Sequence, residues 1–282
     1  MTLLAAEDLR RTVQARFGIA FTVERQMTGE GPVYRIRPGD VPPTIGFTVD
    51  IVVGWRSLEA HFAPGPFAAG LVQAMEDSDA QQRVAFRIFA GAAQKAGANL
   101  EFRVNATSVD PVAEHWPPGW GSCDLSMRRS NLLWGENSKD DDEQLRVWTC
   151  RFVGLVVALL PVEPVEPALA GEVEGDVVEV VSRRYERSRI NRAACIEIQG
   201  ARCVVCGFDF GVAYGPIGDG FIHVHHVISV STVGPGTVID PGKDLVPVCP
   251  NCHAMLHTSK PPLPPDTLRK LHTERRLTLT ED

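Results

Sequence analysis

Two cysteine pairs, Cys203-Val204-Val205-Cys206 and Cys249-Pro250-Asn251-Cys252, are the clearest chemical feature of this 282-residue chain. Each pair can offer two thiolates to one ion, and two pairs together make a closed tetrahedral zinc site. Histidines near that site are left unused by it, among them His225 and His226 between the pairs and His253 and His257 after the second. A spare histidine set points to a second, open metal site, of the kind that does Lewis-acid chemistry.

The spacing of the histidines assigns them different tasks. His253 and His257 are four residues apart on a short predicted helix, so both rings lie on one face and can reach one ion. His225 comes from a predicted strand, Phe221 to Ile228, and can complete a three-histidine set, with water and a phosphate oxygen in the open positions. Adjacent strand residues point to opposite faces, so His226 is not expected to share that ion. A neutral His226 near its ordinary pKa could instead deprotonate a water molecule. His223 shares the face of His225 and reads as a phosphate contact or an exposed side chain, with backing of the metal site as the lesser alternative.

The elements that must position these residues follow from periodicity. Residues 178–199 read as a helix ending at Gly200, followed by the first cysteine pair, a loop, the histidine strand, a Gly/Pro loop at 233–243, a strand at Leu245–Val248, the second pair with its short helix, and a last helix near 266–276. The Pro- and Glu-rich stretch 161–177 reads as an extended linker. Before it, residues 1–160 have an α+β pattern. Residues 4–16 form a short helix, and Ile45 to Trp55 alternate as a half-buried strand with Trp55 on its apolar face. Residues 78–96 place Val84, Ile88, Phe89, Ala92 and Ala96 on one helical stripe, and Leu100 to Ala106 alternate as a strand. Residues 145–160 read as one or two buried strands, and the segments at 62–66 and 111–121 as loops. The domains are therefore 1–160 and 178–282, joined by 161–177.

Charge limits the partners. The formal net charge is −7, so the chain as a whole does not attract nucleic acid. Any contact with DNA must be local, and Arg183, Arg184, Arg187, Arg189 and Arg192, with Lys243, supply a local phosphate-contacting patch. The acidic run Lys139 to Glu143 reads as a solvated loop facing away from DNA. Cys123, Cys150 and Cys195 are left over, which suits a reducing cytoplasm better than a disulfide framework. The first residues do not resemble a signal peptide, and the apolar run Val153 to Leu160 is too short to span a bilayer, so no membrane partner is expected. All five tryptophans precede the linker, and Trp116 and Trp120, in the loop Glu114 to Gly121, are candidates for a modified-base pocket.

The stretches from Ile222 to Ser231 and from Asp240 to His257 together resemble the HNH endonucleases, whose fold is the ββα-metal nuclease. The upstream segment from Tyr185 to Phe210 is similar to the zinc-stapled branch found in McrA-type modified-cytosine restriction endonucleases. The resemblance spans about residues 182–272. It implies a fold class of α+β, with an N-terminal mixed α+β domain and a C-terminal ββα-metal (HNH) domain carrying a four-cysteine zinc knuckle. Position by position it makes His225, His253 and His257 ligands of a catalytic divalent ion and His226 the general base. Cys203, Cys206, Cys249 and Cys252 become the ligands of structural Zn²⁺. The middle Asn of the motif name falls at Asp244, which can still accept a hydrogen bond that steadies the His226 loop; Asn251 is the nearby alternative.

The implied reaction is hydrolysis of phosphodiester bonds in double-stranded DNA, leaving 5′-phosphate and 3′-hydroxyl ends. Mg²⁺ or Mn²⁺ would serve in the cell, whereas a histidine-rich site favours Ni²⁺, Co²⁺ or Zn²⁺ by affinity. The implied role is restriction of foreign or modified DNA. Two other readings compete: a zinc-bearing DNA-binding module without hydrolysis, and an anti-phage effector nuclease governed by a partner or ligand of residues 1–160. Paired nicking would call for a homodimer, although no coiled-coil seam is visible.

Overall fold

The computed structural model describes residues 4–29, 31–135, 138–160, 185–227, 237–259 and 261–279. The linker expected at 161–177 lies outside them. By contact density the chain forms two compact units, Met1–Ile190 and Asn191–Asp282.

The first unit is a seven-stranded antiparallel sheet with helices packed on it. Its strands are β1 (Phe21–Thr28), β2 (Gly31–Pro38), β3 (Phe47–Val53), β4 (Ser57–Pro64), β5 (Ala98–Val104), β6 (Thr107–Val109) and β7 (Cys123–Ser130), and its helices α1 (Ala6–Phe17), α2 (Ala69–Glu76), α3 (Ala80–Lys95) and α4 (Ser138–Leu159). The sheet order is β1-β2-β3-β4-β7-β5-β6. Period-two alternation decides its two faces. One rung of cross-strand neighbours runs Ile36, Val49, Phe62, Leu125, Phe102, and all five side chains are buried. One residue along, the rung Arg35, Asp50, His61, Ser126, Glu101 faces the other way. There the Arg35 guanidinium donates two hydrogen bonds of 2.8 Å to the Asp50 carboxylate.

Several sequence expectations are corrected here. Residues 145–159 are not strands but the C-terminal part of α4, with Leu145, Trp148, Phe152, Val153, Val156 and Leu159 all buried, and Leu160 follows the helix. A short apolar run reads alike in a buried strand and in a helix enclosed on every side. This helix touches α1, α2, α3 and β4, which explains its all-round apolar surface. Gly154 lets Phe89 approach it, since a Cβ there would stand 2.6 Å from the ring. The acidic run at 139–143 is the first turn of α4 rather than a loop, and Asp141 is buried, accepting a 2.8 Å bond from the Gly135 N–H. The core stripe of α3 is Ala85, Phe86, Phe89, Ala90 and Ala93, rotated from the expected one so that Phe86 meets the sheet.

The tryptophans exchange roles. Strand β3 ends at Val53, the chain reverses with Gly54 N–H bonded to the Ser57 carbonyl, and Trp55 projects from the hairpin tip, 87% exposed. Trp116 and Trp120, expected to line a pocket, are buried beside Phe86 and Phe102, with Trp116 edge-on to both rings at 5.1 Å. Their indole N–H groups are held by the carbonyls of Asp110 and Pro117. Rings so enclosed cannot receive a base, and their place in the core replaces the pocket reading. Trp116→Ala is expected to destabilise the first unit by about 3–5 kcal/mol, whereas Trp55→Ala stays within about 0.5 kcal/mol of the parent. Urea unfolding followed by tryptophan fluorescence measures both, because every tryptophan precedes residue 160.

The second unit contains α5 (Tyr185–Gln199, which begins just before the division), α6 (Phe210–Tyr214), β8 (His223–His226), β9 (Leu245–Val248), α7 (Pro250–Leu256) and α8 (Pro265–Leu279). Strands β8 and β9 form an antiparallel pair in which His226 faces Leu245 and His223 faces Val248. Ile196, Cys203, Val205, Ile222, Val248, Cys249, Cys252, Leu256 and Leu268 form its core.

Candidate metal centre

The four cysteines converge. Their sulfurs all lie within 4.8 Å of one another, and those of Cys206 and Cys249 are 3.7 Å apart. Zn–S bonds of about 2.3 Å place tetrahedral sulfurs roughly 3.8 Å apart, so the donor set fits zinc. Local backbone builds the cage from both sides. Gly207 adopts a φ of +73°, and its N–H returns to the Cys203 carbonyl, closing the first knuckle. Val204 N–H bonds to the Pro247 carbonyl and ties that knuckle to β9. At the second pair, Cys249 is the N-cap of α7, its sulfur accepting from the Cys252 N–H at 3.4 Å, and Pro250 follows in the first turn.

Thiol chemistry agrees with this geometry. Burial raises the Cys203 thiol, but the backbone N–H groups of Cys206, Cys249 and Val205 around its sulfur outweigh burial and hold it below its ordinary value. Cys252 is pushed far up by burial and by its sulfur neighbours. Four sulfurs this close cannot all ionise without a cation among them, which is the condition a bound zinc ion meets.

The histidines form a second cluster. Donor nitrogens of His225, His253 and His257 lie within 4.8 Å of one another. Ring centroids are 5.4 Å apart for His225 and His253, 5.1 Å for His225 and His257, and 4.9 Å for His253 and His257. Ligand nitrogens around one divalent ion stand roughly 3.0–3.4 Å apart, which lies within the 4.8 Å that bounds this set. Helix α7 supplies His253 from its last turn, and His257 caps the end of that helix. Strand β8 supplies His225, which is 5% exposed. Burial, then the neighbouring histidines, lowers His225 to about 4, and burial first also lowers His253. Both rings are therefore neutral at pH 7, with lone pairs ready for an ion.

His226 points away from this cluster, as strand alternation requires. Burial lowers its pKa, with Asp244 opposing. Asp244 acts on the hairpin through three bonds: its carbonyl accepts from Val227 N–H at 2.9 Å, its N–H donates to the Asp240 carbonyl at 2.8 Å, and its carboxylate accepts from Asp240 N–H at 2.8 Å. Asn251 is exposed on α7.

The arginine patch is only partly as expected. Arg183 and Arg184 lie outside the described residues, as does the side chain of Arg187. Arg189 donates to the Gly18 carbonyl, within the first unit. Arg192 is turned inward, its guanidinium donating to the carbonyls of Gly220 and Ile222 at 3.2 and 2.9 Å. Lys243 is exposed but paired with Asp240 at 3.1 Å. The role of Gln199 was not foreseen. It lies two turns beyond Arg192 on α5 and donates to the carbonyls of Leu245 at 2.7 Å and Gly242 at 3.4 Å. One helix thus holds the entrances to both β8 and β9. Only the i, i+7 spacing of two long polar side chains could have hinted at this in the sequence.

Residues 203–259 match the family model described as HNH endonuclease. The second unit carries an HNH endonuclease domain. The matched segment contains both cysteine pairs and the four histidines at 225, 226, 253 and 257. No curated protein and no solved structure matches the chain. Among the described residues no helix is long and apolar enough to cross a membrane.

Two outcomes are expected of this HNH domain. Cys249→Ala removes a thiolate and the N-cap of α7 together, so stoichiometric zinc should be lost along with helical signal, as read by metal analysis and circular dichroism. The second concerns acid. A histidine held neutral in the fold takes its proton first in the unfolded chain, so the unfolded state binds more protons between about 6.5 and about 4. Stability of the domain without added divalent ion therefore falls as pH drops through that window, by on the order of 3 kcal/mol from His225. His225→Asn lacks this titration and should show the shallower slope, measured by amide exchange in β8 and β9.

Proposed function

We propose that the protein is a metal-dependent endonuclease that hydrolyses phosphodiester bonds of double-stranded DNA. The observation that carries this reading is the convergence of His225, His253 and His257 on one side of β8 while His226 is held neutral on the other. His225, His253 and His257 would hold a divalent ion, such as Mg²⁺, Mn²⁺, Ni²⁺ or Zn²⁺. Such an ion supplies charge stabilisation at a phosphate and its leaving oxygen. His226 accepts the proton of a water molecule as that water's oxygen forms its bond to phosphorus and the bond to the 3′-oxygen breaks. Asp244 fixes the backbone on which His226 is carried. Cys203, Cys206, Cys249 and Cys252 would hold structural zinc and no substrate, since four thiolates complete a tetrahedral zinc ion.

The biological reading is restriction of foreign or modified DNA, with residues 1–160 as target reader or sensor and residues 178–282 as the cutting domain. The separate core of the first unit supports that division of labour. The McrA-type resemblance supports modified cytosine as the target, without the help of Trp116 and Trp120. A homodimer would bring one site to each strand.

His226→Ala should lower the cleavage rate by about 10²–10⁴-fold while leaving DNA binding within a few-fold, as read by a gel shift beside a cleavage assay. The substrates are unmodified, methylated and hydroxymethylated duplexes with each divalent ion in turn. Wild-type protein that shifts every duplex and cuts none would establish a binding module instead of a nuclease.

A further inference from the structure

A fourth imidazole touches the histidine cluster without joining it. His223 Nδ1 lies 3.2 Å from His253 Nδ1, with ring centroids 5.2 Å apart and planes at 85°. The contact follows from strand geometry. His223 and His225 are two residues apart on β8 and share a face, and that face looks onto α7. The converging donor set nevertheless consists of His225, His253 and His257, and His223 stands outside it. His253 is the hub, its ring meeting those of His223, His225 and His257.

A neutral imidazole has one N–H and one lone pair. When one nitrogen binds an ion, the other carries the proton and needs an acceptor; that acceptor sets the tautomer and the ring's orientation. The Nδ1 of His253 is directed at His223, which leaves Nε2 for the ion. We infer that His223 is a positioning residue: its Nδ1 accepts the Nδ1–H of His253, holds that ring in the tautomer that presents Nε2, and so raises the affinity of the site for a divalent cation. The proton of His223 then sits on its own Nε2, on an exposed ring that water can reach. The inference rests on reading the three histidines as an ion site and adds to it a residue that stands outside the converging donor set.

The test uses the full chain with zinc in the cysteine cage, titrated with Co²⁺ alone and followed by calorimetry and visible absorption. His223→Phe keeps a flat ring and removes the acceptor, so Co²⁺ affinity at the histidine site should fall about 10–100-fold. The shape and intensity of the cobalt bands should stay as in wild type, because the ligand count is unchanged. His223→Asn places a carbonyl oxygen where Nδ1 stood and should restore most of the affinity. The zinc content of the cage reports that each variant is folded. Wild-type affinity in His223→Phe would overturn the inference. So would a change in the cobalt spectrum of that variant, which would make His223 a ligand, or a failure of His223→Asn to bind better than His223→Phe. These outcomes are independent of DNA cleavage. Wild-type protein that binds no Co²⁺ beyond the cage would overturn both this inference and the ion-site reading beneath it.

Discussion

The first turn of α7 is the constraint on which the C-terminal unit depends. Cys249 contributes a sulfur to the cage and at the same time caps that helix, while its carbonyl accepts the N–H of His253 at 2.8 Å. Cys252 lies within the same turn, and His253 follows it directly. Whatever fixes the cysteine cage therefore fixes the start of the helix that presents His253 and His257. The other cysteine pair reaches the same cage from a knuckle bonded to β9. An ion among the sulfurs would thus lock helix to hairpin and add to the apolar cluster that Val248, Leu256 and Leu268 form there among the described residues.

The hairpin separates two histidine environments by one residue of register. His225 is turned toward α7 and His226 away from it, because consecutive strand side chains alternate. A slip of one residue would exchange them, so register has to be held firmly. Among the described residues, three groups hold it: Arg192 on the carbonyls entering β8, Gln199 on those entering β9, and Asp244 through its bonds to Val227 and Asp240. Each is polar and reaches backbone, so each acts on the path of the chain, and Asp244 in addition opposes the effect of burial on the His226 ring.

The first unit is held together differently. Its stability lies in a sheet whose apolar rungs meet α3 and α4, and aromatic rings at 86, 102, 116 and 120 close one end of that core. Glu76 stitches the loop of Trp116 and Trp120 down through the N–H groups of Gly119 and Trp120. The Trp116–Trp120 segment is irregular in backbone yet belongs to the core, a combination that loop composition does not reveal.

In the second unit the residues able to hold ions were legible from short-range spacing alone. Cysteine pairs and an i, i+4 histidine pair are short-range features, and helix and strand geometry converts their spacing directly into shared faces. The HNH resemblance rests on the same local strings. Alternation likewise made β3 and β5 legible. Other features depended on which element packs against which. The run 145–160 became a helix because neighbours enclose it on every side. Trp55 left the apolar face because the chain turned one residue past the strand. Trp116 and Trp120 were drawn inward by Phe86 and Phe102, residues that precede them by at least 14 positions. The contact of His223 with His253 was legible only as far as the strand face that His223 shares with His225, and the inward turn of Arg192 had no local signature, since both contacts join residues about 30 apart whose meeting is set by packing.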